Sequence, residues 1–187
     1  MTDGEPLMQE KRFDPFNDRR SRDLRNTLSE QFVDVVLRND VQAFGLFCEH
    51  WEAVDLGGVY REYLLARLER YRRAFEQLEQ GDIRAPLRQG MVLWNMGLFF
   101  EVHEIIETIW HPAEEPLRSA LQGLIQAAGV YIHLLWDHQN AAAKLARKAH
   151  KRLSDNREGA AFITNLDELI DHLERVDPHP PVLYWQT

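Results

Sequence analysis

Apolar residues recur at helical spacing along almost the whole chain after residue 22. Leu24, Leu28 and Phe32 begin this pattern, and similar patterns continue to about residue 176. No run of β-branched residues alternates at period two, so strands are not predicted. The connections between the periodic segments are short, which favours antiparallel neighbours. We therefore predict an all-α fold, a compact antiparallel bundle of about six to seven helices.

The chain divides into three segments. Residues 1–22 are polar and contain two prolines, which indicates an irregular arm. Residues 23–82 are predicted to form a helical N-terminal extension, packed on a core bundle over residues 83–187. That core ends in an extended, proline-rich tail, and we expect Trp185 beyond it to dock on the bundle. No Gly-, Ser- or Pro-rich linker separates two independent domains.

Charge and cysteine content exclude several classes of protein. The 187 residues include 22 Lys and Arg against 30 Asp and Glu, a formal net charge of −8. A nucleic-acid binder normally carries a basic excess, so that class is disfavoured. The single cysteine, Cys48, excludes a disulfide framework or a Cys-rich zinc module and is predicted to be a buried structural thiol.

The cellular location of the protein is predicted from targeting signals that the sequence does not show. The N-terminus shows no basic start followed by an apolar run, so a secretory signal is not predicted. No stretch offers about 18 uninterrupted apolar residues, so a membrane span is not predicted either. Together with the unpaired Cys48, these features predict a cytoplasmic protein.

One predicted helix, from about residue 87 to residue 110, has an unusual polar pattern. Its second half is apolar nearly all round except at His103, Glu104 and Glu107, which predicts that these side chains are buried. From Gln89 to Leu117 there is no Lys or Arg. Buried carboxylates need partners, so the compensating group must be a metal, a proton or a residue from elsewhere in the fold.

The following helix, over about residues 116–137, offers candidate partners. Gln122, Gln126 and His133 fall within a narrow arc of one face. Gly123 and Gly129 lower helix propensity, and their use is expected to be the close approach of a neighbouring backbone or a ligand. The two helices are therefore predicted to enclose a small polar pocket, lined also by Trp110.

Two interpretations of this pocket remain open. In the first, a hydrogen-bonded network fixes helix register, and the protein is a binding or assembly module. In the alternative, His103, Glu107 and His133 hold a divalent transition metal, with Glu104 as general base or additional ligand. An open coordination position would then activate water in a hydrolase-type enzyme. Buried polar networks are commoner than metal sites, which favours the first interpretation.

Known metal motifs do not decide between them. The segment 103–107 reads His-Glu-Ile-Ile-Glu, whereas the zinc-protease motif requires a second His at the position of Glu107. Di-metal carboxylate bundles require Glu-x-x-His pairs, and the sequence contains none.

A longer pattern resembles a known family. The pattern is Asn95-x-Gly97-x-Phe99-Phe100-Glu101-x-His103-Glu104-x-x-Glu107-x-x-Trp110, followed by Leu121-Gln122-Gly123-Leu124-Ile125-Gln126 and His133. It is similar to number 309 of the domain-of-unknown-function series, a family of small bacterial and archaeal proteins, over about residues 88–155. The resemblance implies a compact all-α bundle and no particular reaction, because the family has no established activity. Residues 137–140 lack the glycine usual in the family, and residues 1–82 exceed its usual core.

Partners are less constrained than the fold. Residues 138–158 hold six Lys and Arg against two acidic residues, which predicts a solvated basic face. A phosphate-bearing ligand on Lys144, Arg147 and Lys151 is a weaker alternative. The aromatic content of the motif helices is consistent with a homodimer interface. Residues 45–52 repeat part of the 97–104 pattern, with Trp51 in place of His103, which is consistent with a degenerate duplication.

Overall fold

A computed structural model describes residues 12–185, and this part of the chain forms a compact helical fold. In chain order the helices are α1 (Arg19–Arg38), α2 (Val41–Ala53), α3 (Gly58–Gln80), α4 (Pro86–Asn95), α5 (Phe99–Trp110), α6 (Leu117–Leu134), α7 (Gln139–Asp155) and α8 (Leu166–Arg175). The all-α prediction is confirmed, with eight helices among the described residues instead of six to seven. Within those residues, none of the helices is long and apolar enough to cross a membrane.

The predicted N-terminal arm overlaps α1. Residues 1–11 lie outside the described part of the chain. The first helix begins at Arg19, so residues 19–22 are helical and not irregular. The Asp18 side chain accepts a hydrogen bond from the Ser21 amide and satisfies one of the free N–H groups of the first turn. The polar composition of residues 19–22 therefore reflects the start of an amphipathic helix.

The single helix predicted over residues 87–110 is wrong, because the chain breaks there into α4 and α5. The break lies at residues 96–98, where Gly97 has a φ of +67°. This left-handed conformation ends α4 and is favourable for glycine. Helical periodicity resumes immediately at Phe99, so the sequence pattern on both sides looks continuous.

Small residues let α6 and α7 approach closely. A Cβ atom on Gly123 would lie 2.9 Å from Leu153 Cγ of α7, and one on Gly129 would lie 3.1 Å from Leu145 Cδ1. Both distances are at or below the tight limit for carbon contacts. A close approach occurs at both glycines, but the neighbours are side chains of α7 and not the backbone or ligand that the sequence predicted.

The extension and the rest of the chain share one hydrophobic core. Helix α1 packs against α5, and α3 packs against α4. Inside the extension, Phe32 stacks on Tyr71 with ring centroids 3.8 Å apart. The fully buried Gln89 of α4 donates a hydrogen bond to the Val36 carbonyl of α1 at 3.0 Å. Helix α5 is therefore held between the extension on one side and α6 on the other.

The C-terminal tail docks on α4. Trp94 Nε1 donates to the Pro181 carbonyl at 2.8 Å, and the Asn95 side chain exchanges two hydrogen bonds with the backbone of Leu183. An isolated antiparallel bridge joins Trp185 to Ile163, which confirms that this tryptophan docks on the bundle. These contacts fix the end of α4 just before the turn that positions α5.

Candidate functional site

Helix α5 brings three potential ligands together. One ligand atom from each of His103, Glu104 and Glu107 lies within 4.8 Å of the others. Residues four apart face the same side of a helix, which aligns His103 with Glu107, and the neighbouring Glu104 side chain bends back to them. Its Oε1 lies 3.2 Å from His103 Nδ1. The opposite face of α5 is buried in the core through Val102, Ile105 and Ile106, so the cluster points to the edge of the bundle.

The cluster is partly exposed. The side chains of His103 and Glu104 are 35% and 29% exposed, and Glu107 is intermediate. The prediction that the two glutamates are buried is therefore wrong. Carboxylates without a cation remain where water reaches them, because an unpaired buried charge is costly.

The electrostatics of the cluster favour a positive charge. The hydrogen bond from His103 to Glu104 raises the pKa of the imidazole above its usual value, although partial burial opposes the shift. The charge of Glu107 adds to the increase, and Arg25 works against it. Two carboxylates thus stabilise a cation at this point of α5, and that cation can be a proton or a metal ion.

A cavity of about 340 Å³ opens beside the cluster. Its lining residues are His103, Glu107, Trp110, Gln122, Ile125, Gln126, Gly129 and Leu145. Two buried polar atoms of this lining, Trp110 Nε1 and Gln126 Oε1, have no hydrogen-bond partner among the described residues. An unsatisfied buried donor or acceptor costs about 1–3 kcal/mol, so the fold leaves one donor and one acceptor unsatisfied in residues that line this cavity.

His133 lies elsewhere. Its Nδ1 is 3.5 Å from His138 Nδ1, and its ring stacks on Phe16 at 5.0 Å between centroids. Burial, with the neighbouring His138 charge, lowers the pKa of His133. It shares an arc of α6 with Gln126 but stands seven residues further along, about 10 Å up the axis. The structure therefore does not bring His133 to His103 and Glu107.

The deepest carboxylate is one that sequence reasoning did not single out. Glu101 is fully buried and accepts two hydrogen bonds from Arg67 of α3, at 3.2 and 2.8 Å. The Tyr71 hydroxyl donates to the same carboxylate. Burial alone would lower the pKa of Arg67, but the charge of Glu101 outweighs it and raises that pKa. Burial, together with Glu101, also raises the pKa of Tyr71.

The sequence left three kinds of partner open for the carboxylates of residues 89–117. For Glu101 the partner is a residue from elsewhere in the fold, Arg67. The available signal was the spacing of Tyr63, Arg67 and Tyr71, which places them along one stripe of α3. Nothing in the spacing says which carboxylate that stripe meets.

The remaining candidate features have ordinary structural surroundings. Lys144, Arg147 and Lys151 are exposed on α7, and Lys151 pairs with Asp155 one turn later. Cys48 is buried, and burial raises the pKa of its thiol, which disfavours the reactive thiolate form. In segment 45–52, which repeats part of the 97–104 pattern, His50 and Glu49 are exposed on α2. Neither residue belongs to the cluster of potential metal ligands found among the described residues.

These features define an all-α bundle with a half-exposed His/Glu cluster beside a polar cavity. Residues 87–145 match the family model described as a domain of unknown function (DUF309). This match confirms the resemblance predicted from the sequence for this part of the chain, which we call the DUF309 segment. The matched segment spans most of α4, all of α5 and α6 and the start of α7, and it leaves α1–α3 outside. No curated protein and no solved structure matches the chain.

Proposed function

We propose that this protein is a helical binding module whose DUF309 segment holds a divalent transition metal through His103, Glu104 and Glu107. The observation that carries the proposal is the convergence of the three ligand atoms within 4.8 Å of one another. One imidazole and two carboxylates suit a divalent first-row ion.

The cavity beside the cluster supports a site that remains open to a ligand. Three protein ligands leave at least one coordination position for water or a bound molecule. Trp110 and Gln126 line the cavity, and each has a buried polar atom without a hydrogen-bond partner among the described residues.

A hydrolase-type reaction is a second candidate function. It would use a metal-bound water as nucleophile, and the cavity of about 340 Å³ is large enough for a small substrate. In that case Glu104 acts as the general base, while His103 and Glu107 remain ligands. A homodimer and a cytoplasmic location remain predictions.

Metal titration tests the binding proposal. Tag-free protein is stripped with a chelator and titrated with ZnCl₂ and with MnCl₂ by calorimetry. We expect about one equivalent to bind the native protein, and His103→Ala or Glu107→Gln to weaken binding at least about tenfold. His50→Ala, at an exposed position of α2, is the matched control and should bind as the native protein does. Equal binding by the native protein and His103→Ala would overturn the proposal.

Glu104→Gln separates the two roles of Glu104. If Glu104 is a ligand, the amide substitution weakens metal binding, because a neutral amide is a poorer ligand than a carboxylate. If it is a general base, metal binding stays close to the native value.

A further inference from the structure

A second cavity, of about 670 Å³, lies between the N-terminal extension and the DUF309 segment. The extension contributes Arg25 from α1 and Tyr63, Arg67 and Arg70 from α3. The DUF309 segment supplies a mainly apolar wall that includes Phe99, Phe100, Ile132, Leu135 and Trp136. This volume falls within the range of about 300–1,000 Å³ that is typical of small-molecule sites.

The charge at this cavity is opposite to that of the whole protein. Four arginines and a single carboxylate, Glu62, line it, although the chain carries a formal charge of −8. Two of the arginines already have partners, since Arg12 pairs with Asp137 and Arg67 with Glu101. The other two carry positive charge that these pairs do not neutralise.

Arg25 and Arg70 have no ion-pair partner within the described residues. Arg25 is half-buried and donates to the side-chain oxygen of its neighbour Asn26, and its guanidinium lies 4.1 Å from the ring centroid of Phe100. Burial lowers the pKa of Arg25, and the nearby charge of Glu101 only partly offsets this effect. A partly buried cation is stabilised strongly when an anion reaches it.

We propose that this cavity binds a small anionic molecule with an apolar body, its carboxylate or phosphate held by Arg25 and Arg70. The planar guanidinium presents paired donors that match either head group. The apolar body packs on Tyr63, Phe99 and Trp136, whose rings offer large contact areas. The site needs both parts of the chain, which gives α1 and α3 a role that the DUF309 segment lacks by itself.

Two fluorescent probes that differ in charge test the proposal. The anion 1-anilinonaphthalene-8-sulfonate has a neutral counterpart, N-phenyl-1-naphthylamine, with the same aromatic body. We expect the anion to bind the native protein at one site at least about tenfold more tightly than the neutral probe. Equal affinities would overturn the proposal, because the arginines would then contribute nothing.

Substitutions locate the binding. The double variant Arg25→Met and Arg70→Gln should weaken binding of the anion at least about tenfold and leave the neutral probe unchanged. The double variant Arg38→Gln and Arg73→Gln, at exposed positions of α1 and α3, is the charge-matched control and should change neither affinity. If the double variant of Arg25 and Arg70 melts at a lower temperature, the exposed single variant Arg70→Gln gives the same comparison. Unchanged affinity for the anion in a folded variant would contradict the proposal.

Competition identifies the head group. Dodecanoate offers a carboxylate on an acyl chain, and adenosine monophosphate offers a phosphate on a planar base. Displacement of the fluorescent anion by one of them supports the proposal and names its head group. Displacement by neither would contradict it.

Discussion

At the scale of single residues, the carboxylate of Glu101 is a charged group that requires a partner of opposite charge. It is fully buried on α5, and its charge is met by Arg67 and the Tyr71 hydroxyl from α3. Breaking such a pair leaves an uncompensated charge in a low-dielectric interior, which costs more than the pair contributes when intact. Glu101 therefore ties the DUF309 segment to the extension.

Arg67→Met is expected to lower the free energy of unfolding by about 3–5 kcal/mol, because Glu101 loses its cation. Urea denaturation measures the change. Arg73→Met is the control on the same helix, since Arg73 is exposed and pairs with Glu69, and exposed pairs contribute only about 0–1 kcal/mol. A loss in Arg67→Met no larger than in the control would show that the pair is not essential.

The titration of His103 gives a pH-dependent test. Its folded pKa is raised, so the stability that it contributes is fully present below about pH 6 and is lost as pH rises through the folded value. In metal-free protein, the stability difference between native and His103→Ala should therefore be larger at about pH 6 than at about pH 9. Chemical denaturation at both pH values measures it. Because Glu104 is the main cause of the shift, the same difference should shrink in a Glu104→Gln background.

The sequence pattern singled out the three residues of the cluster but did not predict how exposed their side chains are. His103, Glu104 and Glu107 stand out because they interrupt an otherwise apolar helix. Whether that face is buried depends on how far the neighbouring helices cover it, and periodicity within one helix carries no such information. The helical wheel likewise places His133 on the same arc of α6 as Gln126. It does not show that His133 lies about 10 Å further along the helix axis.

At the scale of secondary-structure elements, two features position the helices that carry the site. They are the turn at residues 96–98 and the contact between α6 and α7. Gly97 adopts the left-handed conformation that ends α4, and α5 begins as a separate helix at Phe99. Gly123 lets α7 approach α6, which carries Gln122 and Gln126. A sequence pattern shows glycine's low helix propensity, but only the packed structure shows what fills the space.

Gly123→Ala and Gly45→Ala form a matched pair on two helices. Both gain helix propensity, about 1 kcal/mol. The new methyl group would crowd Leu153 at position 123, whereas nothing lies within 4 Å of the Cβ position at Gly45. We expect Gly45→Ala to stabilise the protein and Gly123→Ala to fall about 1–3 kcal/mol below it. Thermal unfolding measures both, and equal effects would mean that α6 and α7 can separate without cost.

At the scale of the whole molecule, the extension and the DUF309 segment behave as parts of one folded unit. They share a core cluster, a buried ion pair and a cavity. Composition predicted that the extension packs on the core, because no linker separates them. The particular contacts could not be predicted, since they depend on which helix faces meet across long sequence separations.

A fragment that begins at residue 83 tests this unity. Without α3 it would leave Glu101 buried or exposed with no cation, and it would uncover the face of α5 that packs on α1. We expect this fragment to lose the cooperative thermal unfolding of the full chain and to aggregate. Circular dichroism and light scattering measure both properties. A monomeric fragment that unfolds cooperatively would show that the core is an independent domain.

The proposed metal site at His103, Glu104 and Glu107 is tested most directly by elemental analysis of protein purified without an affinity tag. We expect close to one equivalent of Zn, Mn, Fe or Ni in the native protein, with a melting temperature that falls when chelator is added. His103→Ala should contain little metal and should not respond to the chelator. Less than about a tenth of an equivalent in the native protein, with a melting temperature that chelator does not change, would contradict a metal site at His103, Glu104 and Glu107.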